Sequence, residues 1–318
     1  MLKRMSIKKI ITSSIVLAIV FMIYIFPNNN KKEDIVIPTQ ISYVNTSVQT
    51  HTIYLLDNNN YISKTSIRIQ SNTPNKIAKE LVLALIQEET NSDQIPNGFK
   101  SLINCNTKIN SLKITEDTIK LDLSKDFLDT SKEMEEKILE ALVYTLTSIE
   151  GIDKLVLYID GEILTLLPQN NIKLPATLSR DIGINKQYRL TGIKNIEKTT
   201  IYYVNKYNDN YYYTPVTKIN NDSREKIEII IDELSSNFQD KLMSFLNTKT
   251  TLLNYEYKNN IMKVNFDENI FNSLEEKDIL EEVLYTISFS IYDNYNTNEV
   301  IFQVNDKEIT KTVLKSIE

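Results

Sequence analysis

The sequence predicts an α/β (α+β) protein with two tandem domains behind a single N-terminal transmembrane helix. After residue 50 the same order of strands and helices occurs twice, with matching segments offset by 141 to 148 residues. Loops that differ in length while strands and helices stay matched are typical of an old duplication. Ahead of the two copies, residues 10–26 form a nearly unbroken apolar segment. We therefore expect each domain to be a small, mainly antiparallel sheet packed by two helices.

The N-terminal segment has the features of an uncleaved membrane anchor. Its 17 residues would span about 26 Å as a helix, close to the roughly 30 Å hydrocarbon core of a bilayer. Lys3, Arg4, Lys8 and Lys9 precede it, which keeps the N-terminus cytoplasmic. The residues before Pro27 are bulky and offer no small-residue cleavage motif, so a cleaved signal is the lesser alternative. We expect a cytoplasmic tail at 1–9, a signal anchor at 10–26, a spacer at 27–50 and an extracytoplasmic remainder.

The composition of the chain argues against several kinds of partner and active site in the extracytoplasmic part. The chain has 42% hydrophobic and 25% charged residues, as globular domains do, and residues 27–318 carry 32 basic against 42 acidic groups, which argues against nucleic acid as a partner. His51 and Cys105 are the only histidine and cysteine, which argues against a Ser-His-Asp triad, a His-based zinc site and internal disulfides. We expect no cofactor and no metal, and we expect Cys105 to be a small buried side chain.

The first domain is predicted over residues 51–167. Its first helix begins at Pro74 with Thr73 as its cap, and residues 131–149 form a longer helix that ends before Gly151. Alternating residues predict strands at 53–56, 67–69, 108–115, 119–123 and 155–159. The helix-start and turn residues of this pattern are Pro74, Ile95, Pro96, Gly98, Asp160 and Gly161.

The second domain is predicted over residues 200–318, after a linker at 168–199. It repeats the order of elements, with a strand pair near 201–213, a helix capped by Ser223, a hairpin at 255–266, a helix at 280–291 and a strand at 300–304. We align Tyr144-Thr145 of the first long helix with Tyr285-Thr286 of the second. No glycine follows Gly192, so the turns of this copy must use Asn and Asp.

These motifs resemble the GerMN domain. The resemblance rests on the capped helix, the turn Ile95-Pro96-Asn97-Gly98, the strand Leu121-Asp122-Leu123 leading to Phe127, and the strand that ends in Asp160-Gly161. It implies a non-enzymatic scaffold of sporulation and spore germination in endospore-forming bacteria, standing between the mother-cell and forespore membranes. Its partners would be membrane and extracytoplasmic proteins of the trans-envelope complex. The domain is also similar to the ring-building modules of secretion systems, which implies a possible oligomer. The chain departs from the family in lacking the cysteine that anchors lipoproteins.

Tyrosines are the candidate partner-binding residues. Residues 201–318 contain 11 of the 18 tyrosines. Because side chains alternate across a strand, at least one ring of Tyr211 to Tyr213 must be exposed, and exposed tyrosine is enriched at interfaces. Plain sheet packing is the alternative explanation. The candidates are Tyr207, Tyr211, Tyr212 and Tyr213.

Carboxylates offer the main alternative function. Asp122, Asp126 and Asp129 precede the long helix, where helix capping and strand polarity explain them better than an acid-base pair or a calcium site. A peptidoglycan hydrolase would need two such groups about 5 to 10 Å apart in a cleft. A passive extracytoplasmic ligand-binding module is the other alternative.

Overall fold

The computed structural model describes residues 49–87, 94–236, 241–273, 275, 277–297 and 299–313. The predicted tail at 1–9, the signal anchor at 10–26 and nearly all of the spacer at 27–50 lie outside the described residues. In the described part of the chain, no helix has the length and apolar character needed to cross a membrane. Val48–Glu318 form one compact unit, so both repeats belong to the same body.

The first repeat follows the predicted order of elements. Helix α1 begins at Pro74 as expected, but the Thr73 side chain makes no capping hydrogen bond, and only its backbone carbonyl accepts one, from the Ile77 amide. The bounds are β1 Gln49–Asp57, β2 Ile62–Ile69, α1 Pro74–Leu85, β3 Phe99–Lys100, β4 Ile109–Thr115, β5 Thr118–Leu123, α2 Lys132–Leu146, β6 Lys154–Ile159 and β7 Glu162–Ile163.

The connection and the second repeat complete the chain. Helix α3 is preceded by Glu225 rather than Ser223, so the predicted serine cap is wrong. Asn259, Asn260, Asn305 and Asp306 take positive φ values at the turns, as the missing glycines required. The bounds are β8 Leu166–Leu167, β9 Ile172–Lys173, β10 Gln187–Arg189, β11 Glu197–Tyr207, β12 Asn210–Asn220, α3 Lys226–Ser235, β13 Leu252–Lys258, β14 Ile261–Phe266, α4 Glu281–Asn294, β15 Glu299–Val304 and β16 Lys307–Val313.

Each repeat contains a four-stranded mixed sheet, in the orders β4-β5-β6-β7 and β13-β14-β15-β16. The outer pairs are antiparallel, but β5 pairs with β6 and β14 with β15 in parallel. The sheets are therefore mainly antiparallel, as expected, with one parallel pair at the centre of each. The parallel pairs arise because α2 and α4 are crossover connections, which return the chain to the same end of the sheet.

A third sheet is shared by both repeats. Its order is β10-β12-β2-β1-β3, with β11 also paired to β12. The hairpins that open the two repeats meet edge to edge, where β2 and β12 run antiparallel with Lys64 opposite Tyr213. Residues 168–199 pack onto both repeats, because Leu178 bridges to Leu155 and β10 pairs with the end of β12.

Two hydrophobic cores hold the fold. The first lies among β1, β5, α1 and α2, around Leu55, Leu81 and Leu142, and the second lies among β11, β14, α3 and α4, around Ile230 and Val264. Burying a side chain of this size contributes about 1.5–3 kcal/mol each. Cys105 is exposed, so the expectation that it is buried is wrong.

The structure also corrects the alignment of the two long helices. The Thr145 hydroxyl accepts a hydrogen bond from the Tyr54 amide at 2.9 Å, and the Ser290 hydroxyl accepts one from the Tyr202 amide at 2.8 Å. Since Tyr54 and Tyr202 are matching residues of β1 and β11, Thr145 corresponds to Ser290 and not to Thr286. The error is one helical turn, because residues three or four positions apart share a helix face and the hydrophobic pattern scarcely changes on such a slip.

Candidate interaction surface

Matching residues of the two repeats contact each other at the junction. The hydroxyl groups of Tyr54 and Tyr202 are 2.8 Å apart, and those of Ser63 and Thr214 are 2.6 Å apart. Ser63 and Thr214 match because each lies one position before the residue that pairs with its tyrosine across the hairpin. All four side chains are buried. Matching residues face each other across a two-fold axis, so the repeats are related by internal two-fold pseudosymmetry.

This arrangement covers two strand edges at once. An unpaired edge presents free backbone groups to any other strand, and here the edge of β2 meets the edge of β12. The chain thus carries a dimer-like interface within one polypeptide, and the covalent connection keeps both halves at high effective concentration.

Arg180, in a short 3₁₀ turn of the connection, ties the two long helices together. It forms an ion pair with Asp293 of α4, and it donates to the hydroxyls of Thr147 at 3.0 Å and Ser148 at 2.8 Å. The other Asp293 oxygen accepts from the Tyr202 hydroxyl at 2.8 Å. Burial is the largest single influence and opposes the charge of Arg180, but Asp293 together with the nearby tyrosine hydroxyls outweighs it and holds the pKa of Arg180 well above its usual value. Arg180 therefore stays charged at any physiological pH.

The groups around this ion pair are electrostatically coupled. Burial raises the pKa of Tyr54 to about 12, which keeps its hydroxyl neutral. The Lys64 ammonium lies 3.5 Å from the centroid of the Phe289 ring. Burial, reinforced by the nearby positive charge of Arg180 and opposed by Asp293, lowers the pKa of Lys64 to about 7. The charge of Lys64 therefore changes near neutral pH.

A second buried carboxylate, Asp57, also joins the repeats. Its position at the end of β1 lets it hold the following turn and reach β11 and β12. Five groups donate to it, at 2.8 to 3.2 Å: the amides of Asn59 and Tyr61, the Ser63 hydroxyl, the Asn205 side-chain amide and the Tyr212 hydroxyl. A buried carboxylate with its acceptor sites filled in this way has a structural role.

Among the candidate tyrosines, Tyr211 presents the most accessible ring. Tyr212 is buried and bonded to Asp57, and Tyr213 packs against Phe289 with a ring separation of 5.2 Å. Tyr211 is 44% exposed. Its ring meets the Phe245 ring edge-on at 5.5 Å.

Tyr207 packs on the turn motif of the first repeat. Gly98 has a φ of 91°, and a Cβ placed on it would lie 2.6 Å from Cγ of Tyr207. Only glycine can adopt this positive φ and also leave room for the Tyr207 ring. Phe99 extends this contact, since its ring meets that of Tyr212 edge-on at 4.9 Å. The turn and the tyrosines are each visible in the sequence, but their contact is not, because it depends on how the repeats pair.

The remaining motif residues lie at turns and at the core. Ile95 packs on the first core, and Asp160 and Gly161 take positive φ at the turn between β6 and β7. The Gly161 amide donates to Asp122 at 3.2 Å, so that carboxylate holds the turn. Asp126 accepts a hydrogen bond from the Ser124 hydroxyl. In the part of the chain that the structure describes, no group of three or more His, Cys, Asp or Glu residues is placed to hold a metal.

Comparison with known proteins shows to which family this chain belongs. The model of the family described as "Germane: Sporulation and spore germination" matches residues 52–165 and 200–310, which together exceed half of the chain. The chain belongs to the Germane family. The spore germination protein GerM of Bacillus subtilis (strain 168) is 30% identical over 264 residues, which cover 80% of this chain and 71% of that protein.

A solved Germane structure confirms the tandem architecture. The tandem GerMN domains of the sporulation protein GerM from Bacillus subtilis match with a TM-score of 0.73 at 28% identity, covering 81% of this chain and 92% of that one. The sequence-based resemblance to the GerMN domain is therefore confirmed for both copies. The family match leaves out residues 166–199, which include Arg180. The residue that ties the two long helices together thus lies outside the segments by which Germane domains are matched.

Proposed function

We propose that this Germane protein is a non-enzymatic, membrane-anchored scaffold of sporulation and spore germination. It binds partner proteins of the trans-envelope complex between mother cell and forespore. Membership of the family, and a relative named as a spore germination protein, support the cellular process. The apolar segment at residues 10–26 supports anchoring in the cell membrane, with the N-terminus cytoplasmic and the two domains outside the cytoplasm.

The surface around Tyr211 is the observation that best supports partner binding. The ring is half-exposed on a strand that is paired along its whole length with β11, so its position is set before binding. The Lys206 ammonium lies 5.4 Å from its centroid, and Phe245 supports its edge. Tyrosine gives a large contact area for little loss of side-chain entropy, and such residues are enriched among interface hot spots.

The buried groups support a scaffold over a hydrolase. A carboxylate glycosidase keeps two acidic groups open to substrate in a cleft. Asp57 and Asp293 are instead occupied by structural donors, and buried hydroxyl pairs fill the junction between the repeats. These contacts join the two repeats into one compact unit, which suits a scaffold that presents its surface to a partner.

The test follows the full-length, epitope-tagged protein through growth and sporulation. We expect it to accumulate during sporulation and to concentrate in the membranes that separate mother cell and forespore. A photo-crosslinking amino acid in place of Tyr211 should then capture a membrane or extracytoplasmic protein. The same substitution at Ile163, 43% exposed on the first repeat, is the control and should capture little. Uniform presence in growing cells, or equal capture from both positions, would contradict the proposal.

A further inference from the structure

Residues 188–196, the Ile193 loop, run from the end of β10 into the following loop and expose several apolar side chains close together in the chain. Four of the ten large hydrophobic side chains that the described residues expose lie in this short loop: Tyr188, Leu190, Ile193 and Ile196. Ile193 is 93% exposed, the highest value among them. Scattered apolar residues are normal on a surface, but several exposed within one short segment point to a binding surface.

The loop is held in shape by one side chain. The Asn221 carboxamide oxygen accepts hydrogen bonds from the Thr191 amide at 2.7 Å and the Gly192 amide at 3.2 Å. Its nitrogen donates to the carbonyls of Gly192 and Lys194. These bonds fix the backbone on both sides of Ile193. These bonds therefore hold the loop in a conformation that leaves the Ile193 side chain exposed.

The charges beside the loop differ from those of the chain as a whole. Arg189, Lys194 and Lys198 lie in or next to it with Glu197 as the acidic residue, whereas the chain carries a formal charge of −6. Arg189 is mostly exposed, and the ion pair that it makes with Glu233 within the described part of the chain is long at 3.5 Å. Apolar tips flanked by cations suit anionic bilayers, where aliphatic groups enter the interface and cations meet lipid headgroups.

We propose that the Ile193 loop is a membrane-contact tip that inserts Ile193 into the interface of an anionic lipid bilayer. Tyr188 belongs at the same level, since tyrosine favours the boundary between water and hydrocarbon. The N-terminal segment outside the described residues carries the predicted membrane anchor, so a bilayer is within reach of the tethered domains. The loop lies outside both segments matched to the Germane family, so this contact would belong to the connection and not to the domain cores.

The chain contains no tryptophan, which permits a direct test. Ile193→Trp and a control, Leu253→Trp on β13, each place one fluorophore at an exposed position. The protein used is Val48–Glu318, which omits the predicted anchor and forms one compact unit; the tandem domains of the Bacillus relative were likewise solved as a unit. Vesicles of phosphatidylcholine, with and without phosphatidylglycerol, are the probe.

We expect the emission of Ile193→Trp to shift to shorter wavelength with phosphatidylglycerol vesicles, and that of Leu253→Trp to stay unchanged. Ile193→Ser should lower sedimentation of the otherwise unchanged protein with those vesicles about tenfold, the effect of one lost aliphatic anchor. Lys194→Glu should remove the preference for phosphatidylglycerol. A urea unfolding midpoint equal to that of the unchanged protein confirms that each variant is folded.

Three results would overturn the proposal. The first is that the unchanged protein does not associate with phosphatidylglycerol vesicles. The second is that Ile193→Ser and the matched control Leu253→Ser lose binding equally. The third is that, without lipid, the protein self-associates through Ile193, which would make the loop a contact between copies of the chain.

Discussion

Asp293→Ala should be among the most destabilising single changes at the junction of the repeats. The Asp293 side chain is 1% exposed and its partner Arg180 is 17% exposed, so the carboxylate is fully buried and the guanidinium is mostly shielded from water. Removing the carboxylate leaves a buried guanidinium uncompensated, which costs about 3–5 kcal/mol in comparable sites. The Tyr202 hydroxyl also loses its acceptor. We expect the free energy of unfolding to fall by about 3–5 kcal/mol.

Urea unfolding of Val48–Glu318, followed by circular dichroism, measures this change. Asp117→Ala is the matched control, because it removes the Lys154–Asp117 ion pair at 2.8 Å, in which both side chains are well exposed. Screening by solvent makes such a pair nearly neutral, so the midpoint of the control should stay within error of the unchanged protein. The double variant Arg180→Met with Asp293→Leu should recover most of the loss, since apolar side chains of similar volume need no partner.

Two results would refute this reasoning. If Asp293→Ala has no larger effect than Asp117→Ala, the buried ion pair does not stabilise the junction. If the double variant loses as much as its component single variants, Arg180→Met and Asp293→Leu, added together, Arg180 and Asp293 are not energetically coupled.

Two further predictions concern the junction. Gly98→Ala should lower the free energy of unfolding by about 1–3 kcal/mol more than Gly161→Ala. Both glycines have positive φ, but only at Gly98 would the new methyl group meet the Tyr207 ring. Equal urea midpoints for the two variants would contradict the contact between Gly98 and Tyr207. The pKa of Lys64 is 10.5 in the unfolded chain and about 7 in the folded protein, so the folded state binds fewer protons between these values and stability should rise with pH from 7 to 10. Lys64→Met should flatten that rise, and a profile identical to that of the unchanged protein would show that the ammonium is not desolvated.

The sequence by itself determined the order of the elements, the duplication and the family. Helix and strand periods are local properties, and the start of α1 at Pro74 follows from a proline that needs no amide partner there. The turns at Asn259-Asn260 and Asn305-Asp306 follow from the absence of glycine in the second repeat. These features depend on neighbours a few positions apart, so they can be read without knowing the fold.

The tertiary structure alone decided how the repeats are joined. Nothing local indicates that Tyr54 meets Tyr202, that Tyr207 packs on Gly98, or that Arg180 binds Asp293, because each contact depends on which sheet edges and helices meet across the chain. The one-turn error in aligning α2 with α4 has the same origin. A hydrophobic helix face looks alike after one turn, and only the hydrogen bond that each helix makes to its strand distinguishes the true register.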